Sequence, residues 1–248
     1  MVAARDAAAF LTIFPLPCPL RAEKSAGQMV RALAWFPLVG ALIGAAAGGL
    51  AWCAWQVWSQ ATGAWVGVAA LAVLTGALHL DGFADTLDGL GAWKSREETL
   101  RIMQDSRIGV MGAVGLVLLL GLMGSLLREF APEFWVRTLA AVCAMSRLAM
   151  VLSAQAFPYA PKKEGLGRLV TDRREPAAVV IAAVTALGLA AVALGPRRAG
   201  ILLAATLAAV WVINTLVVRR LGGITGDTLG AVNELATVTL LMVLAISG

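Results

Sequence analysis

Three aspartates stand close together in the segment HLDGFADTLDG, which covers residues 79–89. If this segment is helical, Asp81, Asp85 and Asp88 are spaced i, i+4 and i+7 and lie on one helix face within roughly 60°. Like charges at this spacing weaken a helix, so packing gives no reason for them. Carboxylate oxygens suit Mg²⁺, which bridges them to substrate phosphates. The pattern predicts that all three bind Mg²⁺; the alternative is a solvated helix end.

A second polar segment, RIMQDSRIG, follows at residues 101–109. Arg101 and Asp105 are spaced i, i+4, so on a helix they could, as an alternative to binding substrate, form only a surface ion pair of little energetic value. The planar guanidinium of Arg107 suits a phosphate better. We expect Arg101, Asp105 and Ser106 to bind substrate and Arg107 to act in catalysis.

The third segment, GGITGDTLGAVNE, covers residues 222–234 and precedes an apolar stretch. Gly223 and Gly226 permit a tight loop against a ligand, and a helix beginning there favours anions. Asp227 is a candidate catalytic carboxylate, or else a simple N-cap residue. Glu234 lies about two turns into an apolar helix, where a charge is costly without a function, so we count it with the substrate-binding residues.

Four more residues are candidates for other reasons. Arg147 lies inside an apolar stretch and needs an anion, either a substrate phosphate, a clustered carboxylate or a structural ion-pair partner. Lys162 and Lys163 can steer an anionic substrate, although anchoring to anionic lipid explains them equally well. His79, the only histidine, is expected to pack or to support a neighbouring site residue.

The elements that carry these residues are membrane helices. The 248 residues are 60% hydrophobic and 14% charged, whereas soluble domains are about 45–50% apolar and about 25% charged. A span needs about 20 apolar residues. That rule predicts an all-α bundle, a single membrane domain over 1–248, with seven spans: 33–58, 63–80, 108–127, 135–156, 177–195, 199–218 and 228–247.

Basic residues decide the orientation of this bundle. The segments on one side contain four of the 20 Lys and Arg, and Arg147 is within a span, which leaves fifteen on the other side. The side rich in positive charge is the inner side, so the N-terminus is inside. All the candidate carboxylates outside the spans fall on that side. Topology also explains the net charge of +5 better than nucleic-acid binding, which we exclude.

Tryptophans, the N-terminal segment and glycines give further expectations about how the bundle lies in the membrane. Tryptophans near the outer span ends predict an interfacial belt, and they are Trp52, Trp55, Trp58, Trp65 and Trp135. The N-terminal run to Phe14 is too short to span, so we expect a membrane-surface helix with Arg5 and Asp6 in water. Glycines such as Gly40 and Gly44 let helices approach closely, within the bundle or in a homo-oligomer.

Taken together, HLDGFADTLDG, RIMQDSRIG, the pair Ser146 and Arg147, GGITGDTLGAVNE and the opening FLTIFPLP resemble the cobalamin synthase family of adenosylcobinamide-GDP ribazoletransferases. The resemblance runs in order through nearly the whole chain. It implies a Mg²⁺-dependent enzyme of the bacterial inner membrane, with its active site facing the cytoplasm. Such an enzyme joins adenosylcobinamide-GDP to α-ribazole, or to α-ribazole 5′-phosphate, and releases GMP.

The candidate residues fit that reaction. Mg²⁺ on the three aspartates would neutralise the diphosphate, while Arg107 and Arg147 compensate developing charge. The ribazole 5′-oxygen is expected to attack the cobinamide-side phosphorus, and Asp88 or Asp227 to take its proton.

Other classes remain as alternatives. A CDP-alcohol phosphotransferase has spaced aspartates, but here Phe83 and Ala84 follow Gly82, so that family's Ala-Arg pair is absent. A UbiA-like prenyltransferase would carry two Asp-rich motifs. A cation-coupled transporter would place its carboxylates near the bilayer midplane, not at one edge.

Overall fold

The computed structural model describes residues 2–14, 26–160, 171 and 173–247. These residues confirm the all-α prediction, because their one β-type pairing is an isolated bridge between Tyr159 and Ile224. The α-helices, numbered here in chain order, are α1 Val2–Leu11, α2 Ala26–Ala32, α3 Phe36–Val57, α4 Gln60–Leu74, α5 Leu78–Gly91, α6 Arg96–Met103, α7 Val110–Leu127, α8 Trp135–Ala156, α9 Pro176–Leu194, α10 Pro196–Leu221 and α11 Gly226–Ile246.

Six helical segments are long and apolar enough to cross a membrane, and they confirm six of the predicted spans. The protein is therefore a multi-pass membrane protein. The six segments are Met29–Val57, Val110–Leu127, Pro132–Ala156, Pro176–Leu194, Pro196–Leu221 and Gly226–Ile246.

The predicted second span, 63–80, is wrong as a single helix. Helix α4 ends at Leu74, and α5 begins at Leu78 at an angle of 89° to it. The chain turns at Gly76 and Ala77, which both have left-handed backbone angles, with φ of 60° and 55°. Helix α4 alone, about 22 Å long, is shorter than the hydrocarbon core of about 30 Å. Counted as one broken crossing, α4 and α5 keep the total at seven.

Helix α8 occupies the centre of the bundle and packs against α3, α9, α10 and α11. Its close neighbour α9 buries a stripe of alanines at i, i+4 spacing, namely Ala178, Ala182, Ala186 and Ala190. Such short side chains let helices approach closely. The functional helices α5 and α11 pack against each other beside this centre.

Trp135 does not belong to the predicted aromatic belt. Its side chain is fully buried, and its Nε1 donates a hydrogen bond to the carbonyl of Leu127 at 2.8 Å. Trp52, Trp58 and Trp65 are exposed, as the belt requires.

The N-terminal helix α1 packs against α2 and α3. The ring of Phe10 stacks on Phe36 with 5.7 Å between ring centroids. The prediction that Asp6 lies in water is wrong, because this packing buries its side chain completely, while Arg5 is exposed. The membrane-surface position of α1 stays a prediction.

Candidate functional site

Helix α5 carries the three aspartates in the predicted helical register. Asp81 is exposed, whereas Asp85 and Asp88 are partly buried. Because the 89° break turns α5 away from the axis of α4, the acidic face lies across the end of α4 rather than continuing along it. The break therefore displays carboxylates at one edge of the bundle.

Asp227 enters this site from the first turn of α11. It is not the N-cap residue, so that alternative is wrong. Thr225 caps the helix instead, because its Oγ1 accepts a hydrogen bond from the Thr228 N–H at 3.1 Å and Thr228 Oγ1 accepts one from the Thr225 N–H at 2.7 Å. The Asp227 carboxylate is therefore not needed to cap the helix. Among the described residues, its one side-chain hydrogen-bond contact is a long one of 3.5 Å with Thr225 Oγ1.

Gly82 brings the two helices together. A Cβ at position 82 would lie 2.9 Å from the Cα of Asp227, so only glycine allows this approach. Asp85 consequently feels the charges of Asp81 and Asp227 as well as that of Asp88. The structure thus adds Asp227 to the acidic face that the sequence predicted for α5.

Within the described part of the chain, no three Asp, Glu, His or Cys side chains are arranged to hold a metal ion by themselves. This donor set still fits Mg²⁺, which keeps several waters and uses one or two carboxylates together with substrate phosphates. Carboxylates converging from two helices repel one another, and a bound divalent cation would relieve that repulsion. Metal binding by Asp81, Asp85 and Asp88 stays a prediction.

Asp88 has a different environment from the other two. Its Oδ2 accepts a hydrogen bond from the Gly109 N–H at 2.7 Å, and its Oδ1 accepts one from the Gly112 N–H at 2.8 Å. These N–H groups belong to the N-cap residue of α7 and to its first turn, where no intrahelical acceptors exist for them. The carboxylate thus holds the α7 N-terminus against α5, with favourable charge for the helix dipole.

The loop before α7 places Arg107 and Ser106 on the surface. The alternative of an ion pair between Arg101 and Asp105 is not found among the described residues, because α6 ends at Met103 and Asp105 lies beyond it. Asp105 instead accepts hydrogen bonds from Arg107, including Nη2 to Oδ2 at 2.7 Å. This pairing lowers the pKa of Asp105 to about 2 and raises the pKa of Arg107.

Arg101 pairs with a residue of its own helix. Its Nη2 lies 2.7 Å from Oε1 of Glu98, at i, i+3 spacing, and the Arg101 side chain is 78% exposed. The structure therefore places Arg101 beside the loop of Arg107, as a surface residue.

Arg96 is a residue that the sequence did not single out. Its Nε donates to the carbonyl of Leu221 at 2.6 Å and its Nη2 donates to the carbonyl of Ala160 at 2.9 Å. It thereby ties the start of α6 to the end of α10 and to the segment that follows α8. Its only sequence signal is its place directly after Ser95, which caps α6.

The loop that leads into Asp227 is also fixed by main-chain bonds. The N–H of Ile224 donates to Pro158 O, and the N–H of Ala160 donates to Ile224 O, both at 2.8 Å. Gly223 is buried in this contact, and a Cβ there would lie 2.6 Å from the carbonyl of Pro158. Gly226 is exposed at the first position of α11.

Arg147 and Glu234 lie away from the acidic face, inside the bundle. They are 3% and 8% exposed, and both line the same small cavity. The structure therefore places Arg147 and Glu234 at one cavity without a direct ion pair, and their substrate-binding assignment stays a prediction.

The remaining predicted residues are His79, Lys162 and Lys163. His79 is buried, and neither ring nitrogen has a hydrogen-bond partner among the described residues. Packing and support of a neighbouring site residue both stay predictions for it. Lys162 and Lys163 lie outside the described residues.

Comparisons with known proteins cover nearly all of this chain. A family model described as cobalamin-5-phosphate synthase matches residues 3–245. Three relatives are each called adenosylcobinamide-GDP ribazoletransferase. The protein from Roseiflexus sp. (strain RS-1) is 40% identical, across 98% of this chain and 88% of its own length. That from Klebsiella pneumoniae (strain 342) is 38% identical, across 96% and 97%.

The third relative, from Escherichia coli (strain K12 / DH10B), is 35% identical across 95% of this chain and 96% of its own length. No solved structure matches the chain. The three polar segments and the loops between them therefore all lie within the matched region.

Proposed function

The chain belongs to the cobalamin-5-phosphate synthase family, and from this membership we propose an adenosylcobinamide-GDP ribazoletransferase that works with Mg²⁺. It transfers the adenosylcobinamide-phosphate group of adenosylcobinamide-GDP to α-ribazole, or to α-ribazole 5′-phosphate, and releases GMP. The observation that carries the proposal is the convergence of Asp81 and Asp85 on α5 with Asp227 on α11, across the close contact at Gly82.

The reaction exchanges one bond to phosphorus for another. A ribose hydroxyl oxygen of the acceptor bonds to the cobinamide-side phosphorus, the bridging P–O bond of the diphosphate breaks, and GMP leaves with the bridging oxygen. The matching family is described as cobalamin-5-phosphate synthase. We propose accordingly an acceptor that already carries a 5′-phosphate, and in such an acceptor the 5′-oxygen expected from the sequence is not free to attack. The attacking atom is therefore another ribose hydroxyl.

Asp81 and Asp85 would hold the Mg²⁺, with waters and substrate phosphate oxygens completing its ligands. The bound ion would neutralise the diphosphate and favour departure of GMP.

Asp227 is the better candidate for the general base. Within the described part of the chain, its carboxylate makes one long hydrogen-bond contact, with Thr225 Oγ1, so its lone pairs can accept the proton of the ribose hydroxyl. Asp88 already accepts two main-chain N–H groups. We assign Asp88 mainly to holding α7, and through it the loop of Arg107.

Arg107 serves as the phosphate-binding cation. Its side chain is 87% exposed and its partner Asp105 comes from the same loop, so a phosphate can share or replace that partner. Arg101, Ser106, Gly223 and Gly226 belong to the same edge of the protein, and Lys162 and Lys163 would steer the anionic substrate towards it.

The distribution of basic residues supports a location in the bacterial inner membrane with the site facing the cytoplasm. The predicted outer segments contain four of the 20 Lys and Arg. Lipid contact follows from the exposed apolar faces of α7 and α9, whereas assembly as a homo-oligomer stays a prediction.

The proposal is tested with protein purified in detergent, supplied with both substrates, with and without Mg²⁺. GMP release that requires both substrates and the metal is expected. Turnover without a sealed compartment also excludes an obligate transporter. Release of CMP from a CDP-alcohol, or absence of GMP under all conditions, would contradict the proposed reaction.

A further inference from the structure

A small, partly open cavity lies between α4, α5, α7, α8 and α11 and has a volume of about 20 Å³. A buried cavity needs roughly 10–15 Å³ and two to four polar partners to hold a water molecule. Its apolar lining includes Val68, Leu71 and Met123, and its polar lining includes Thr75, Arg147 and Glu234. The volume and the lining both suit ordered water.

Several polar atoms at this cavity have unsatisfied hydrogen-bonding capacity. Arg147 Nε and Asn233 Oδ1 are buried and have no hydrogen-bond partner among the described residues. Arg147 Nη1 reaches Ser146 Oγ at 3.2 Å, and Glu234 Oε1 accepts a bond from Asn233 Nδ2 at 2.9 Å. A buried donor or acceptor left without a partner is costly.

Opposite charges face this space without touching. Arg147 and Glu234 line the same cavity, yet no direct ion pair within 4.0 Å joins them among the described residues. Two buried charges separated in this way need an intermediary that both donates and accepts hydrogen bonds. Water meets that requirement, because it can accept from Arg147 Nε and donate to a Glu234 oxygen.

We propose that this cavity is a water site in which Arg147 and Glu234 form a water-bridged ion pair that positions the catalytic carboxylates. Arg147 and Glu234 are then positioning residues, in place of the substrate contacts that the sequence predicted. The inference deepens the proposed function and rests on it for the catalytic part alone.

The position of the cavity explains how the pair acts on the site. Glu234 follows Asp227 by seven residues on α11, which places both near the same face of that helix. Thr75 borders the cavity at the break between α4 and α5, shortly before Asp81. Fixing Glu234 to the central helix α8 therefore fixes α11 beside the break from which the acidic helix begins.

A double-mutant cycle tests the pair, with Arg147→Met, Glu234→Met and the double variant in nanodiscs. Each single variant leaves one uncompensated buried charge and should lower the thermal midpoint by roughly 5 °C or more. The double variant should regain most of that loss, because neither charge remains. If the decrease in thermal midpoint of the double variant equals the sum of the two single decreases, Arg147 and Glu234 are not paired.

Kinetics separate positioning from substrate binding. Each single variant should lose about tenfold or more in kcat with the KM for adenosylcobinamide-GDP within about twofold of wild type, and the double variant should recover activity over Arg147→Met. A raised KM for Arg147→Met with no recovery in the double variant would identify Arg147 as a phosphate ligand instead. The thermal cycle needs no substrate, so it stands even if wild-type protein releases no GMP.

If a variant does not fold, a high-resolution density map of the wild-type protein tests the water bridge directly. Density for water between Arg147 Nε and the Glu234 carboxylate is expected. A direct contact between the two side chains, with no water between them, would overturn the bridge.

Discussion

Gly82 of α5 lies directly against the main chain of Asp227 in α11, where a Cβ would come within 2.8 Å of the Asp227 carbonyl oxygen. A glycine at this position therefore sets the distance between the two carboxylate-bearing helices. Everything proposed for the site depends on that distance.

Replacing Gly82 with alanine should separate α5 from α11 and lower kcat at least about tenfold, equivalent to about 1.4 kcal/mol of transition-state stabilisation. Steady-state GMP release measures the effect. Gly121→Ala in α7 is the matched control, since a Cβ there meets nothing within 4 Å. Equal activity of Gly82→Ala and Gly121→Ala would refute the close-contact argument.

Asp88→Ala should destabilise the protein by about 1–3 kcal/mol, because two N–H groups of the α7 N-terminus lose their acceptor. Asp88→Asn retains one acceptor oxygen and should lose less. Thermal unfolding and GMP release are measured together. If Asp88→Asn is inactive while its thermal midpoint is unchanged, Asp88 is chiefly a metal ligand or base rather than a holder of α7.

Arg107→Ala should raise the KM for adenosylcobinamide-GDP about tenfold. Arg107→Lys should restore only part of the lost substrate affinity, because lysine lacks the planar guanidinium.

The ion pair between Arg107 and Asp105 lowers the pKa of the Asp105 carboxyl to about 2. The pair therefore persists above that pH and is lost only as the pH falls through this value. Between pH 5 and pH 9, titration of Asp105 should therefore leave no step in the KM profile. A step that vanishes in Asp105→Asn would contradict this assignment.

Arg96→Ala should loosen the loop that leads into Asp227, because the carbonyls of Leu221 and Ala160 lose their hydrogen-bond donor. Amide hydrogen exchange at Ile224, whose N–H bonds to Pro158 O, should become faster. Arg197→Ala, at the other side of the bundle, provides the control. Unchanged exchange at Ile224 in Arg96→Ala would show that Arg96 does not hold this loop.

Hydropathy and spacing were sufficient for the membrane helices and for the register of α5. They failed at Gly76 and Ala77, because a helix break set by two left-handed residues hardly changes the mean hydropathy of a window. Ala77 in particular has no sequence signal for such a conformation.

The sequence also could not reveal which side chains are hydrogen-bond or charge partners across different helices. The spacing of Asp88 matches that of Asp81 and Asp85, yet Asp88 bonds to the start of α7, which only the tertiary packing reveals. Similarly, Glu234 looked like a substrate residue because a buried charge needs a partner, and the structure supplies Arg147 at the same cavity. The sequence therefore identified charged residues in unusual positions, whereas their partners depend on tertiary packing.

Titration of GMP release with Mg²⁺ shows whether carboxylates of α5 hold the ion for phosphate transfer. Wild type and Glu133→Gln, an exposed control at the predicted outer side, should show the same saturable dependence on Mg²⁺. Asp85→Asn, folded with an unchanged thermal midpoint, should require far more Mg²⁺ or release no GMP. The same Mg²⁺ dependence and full activity in Asp85→Asn would contradict the account.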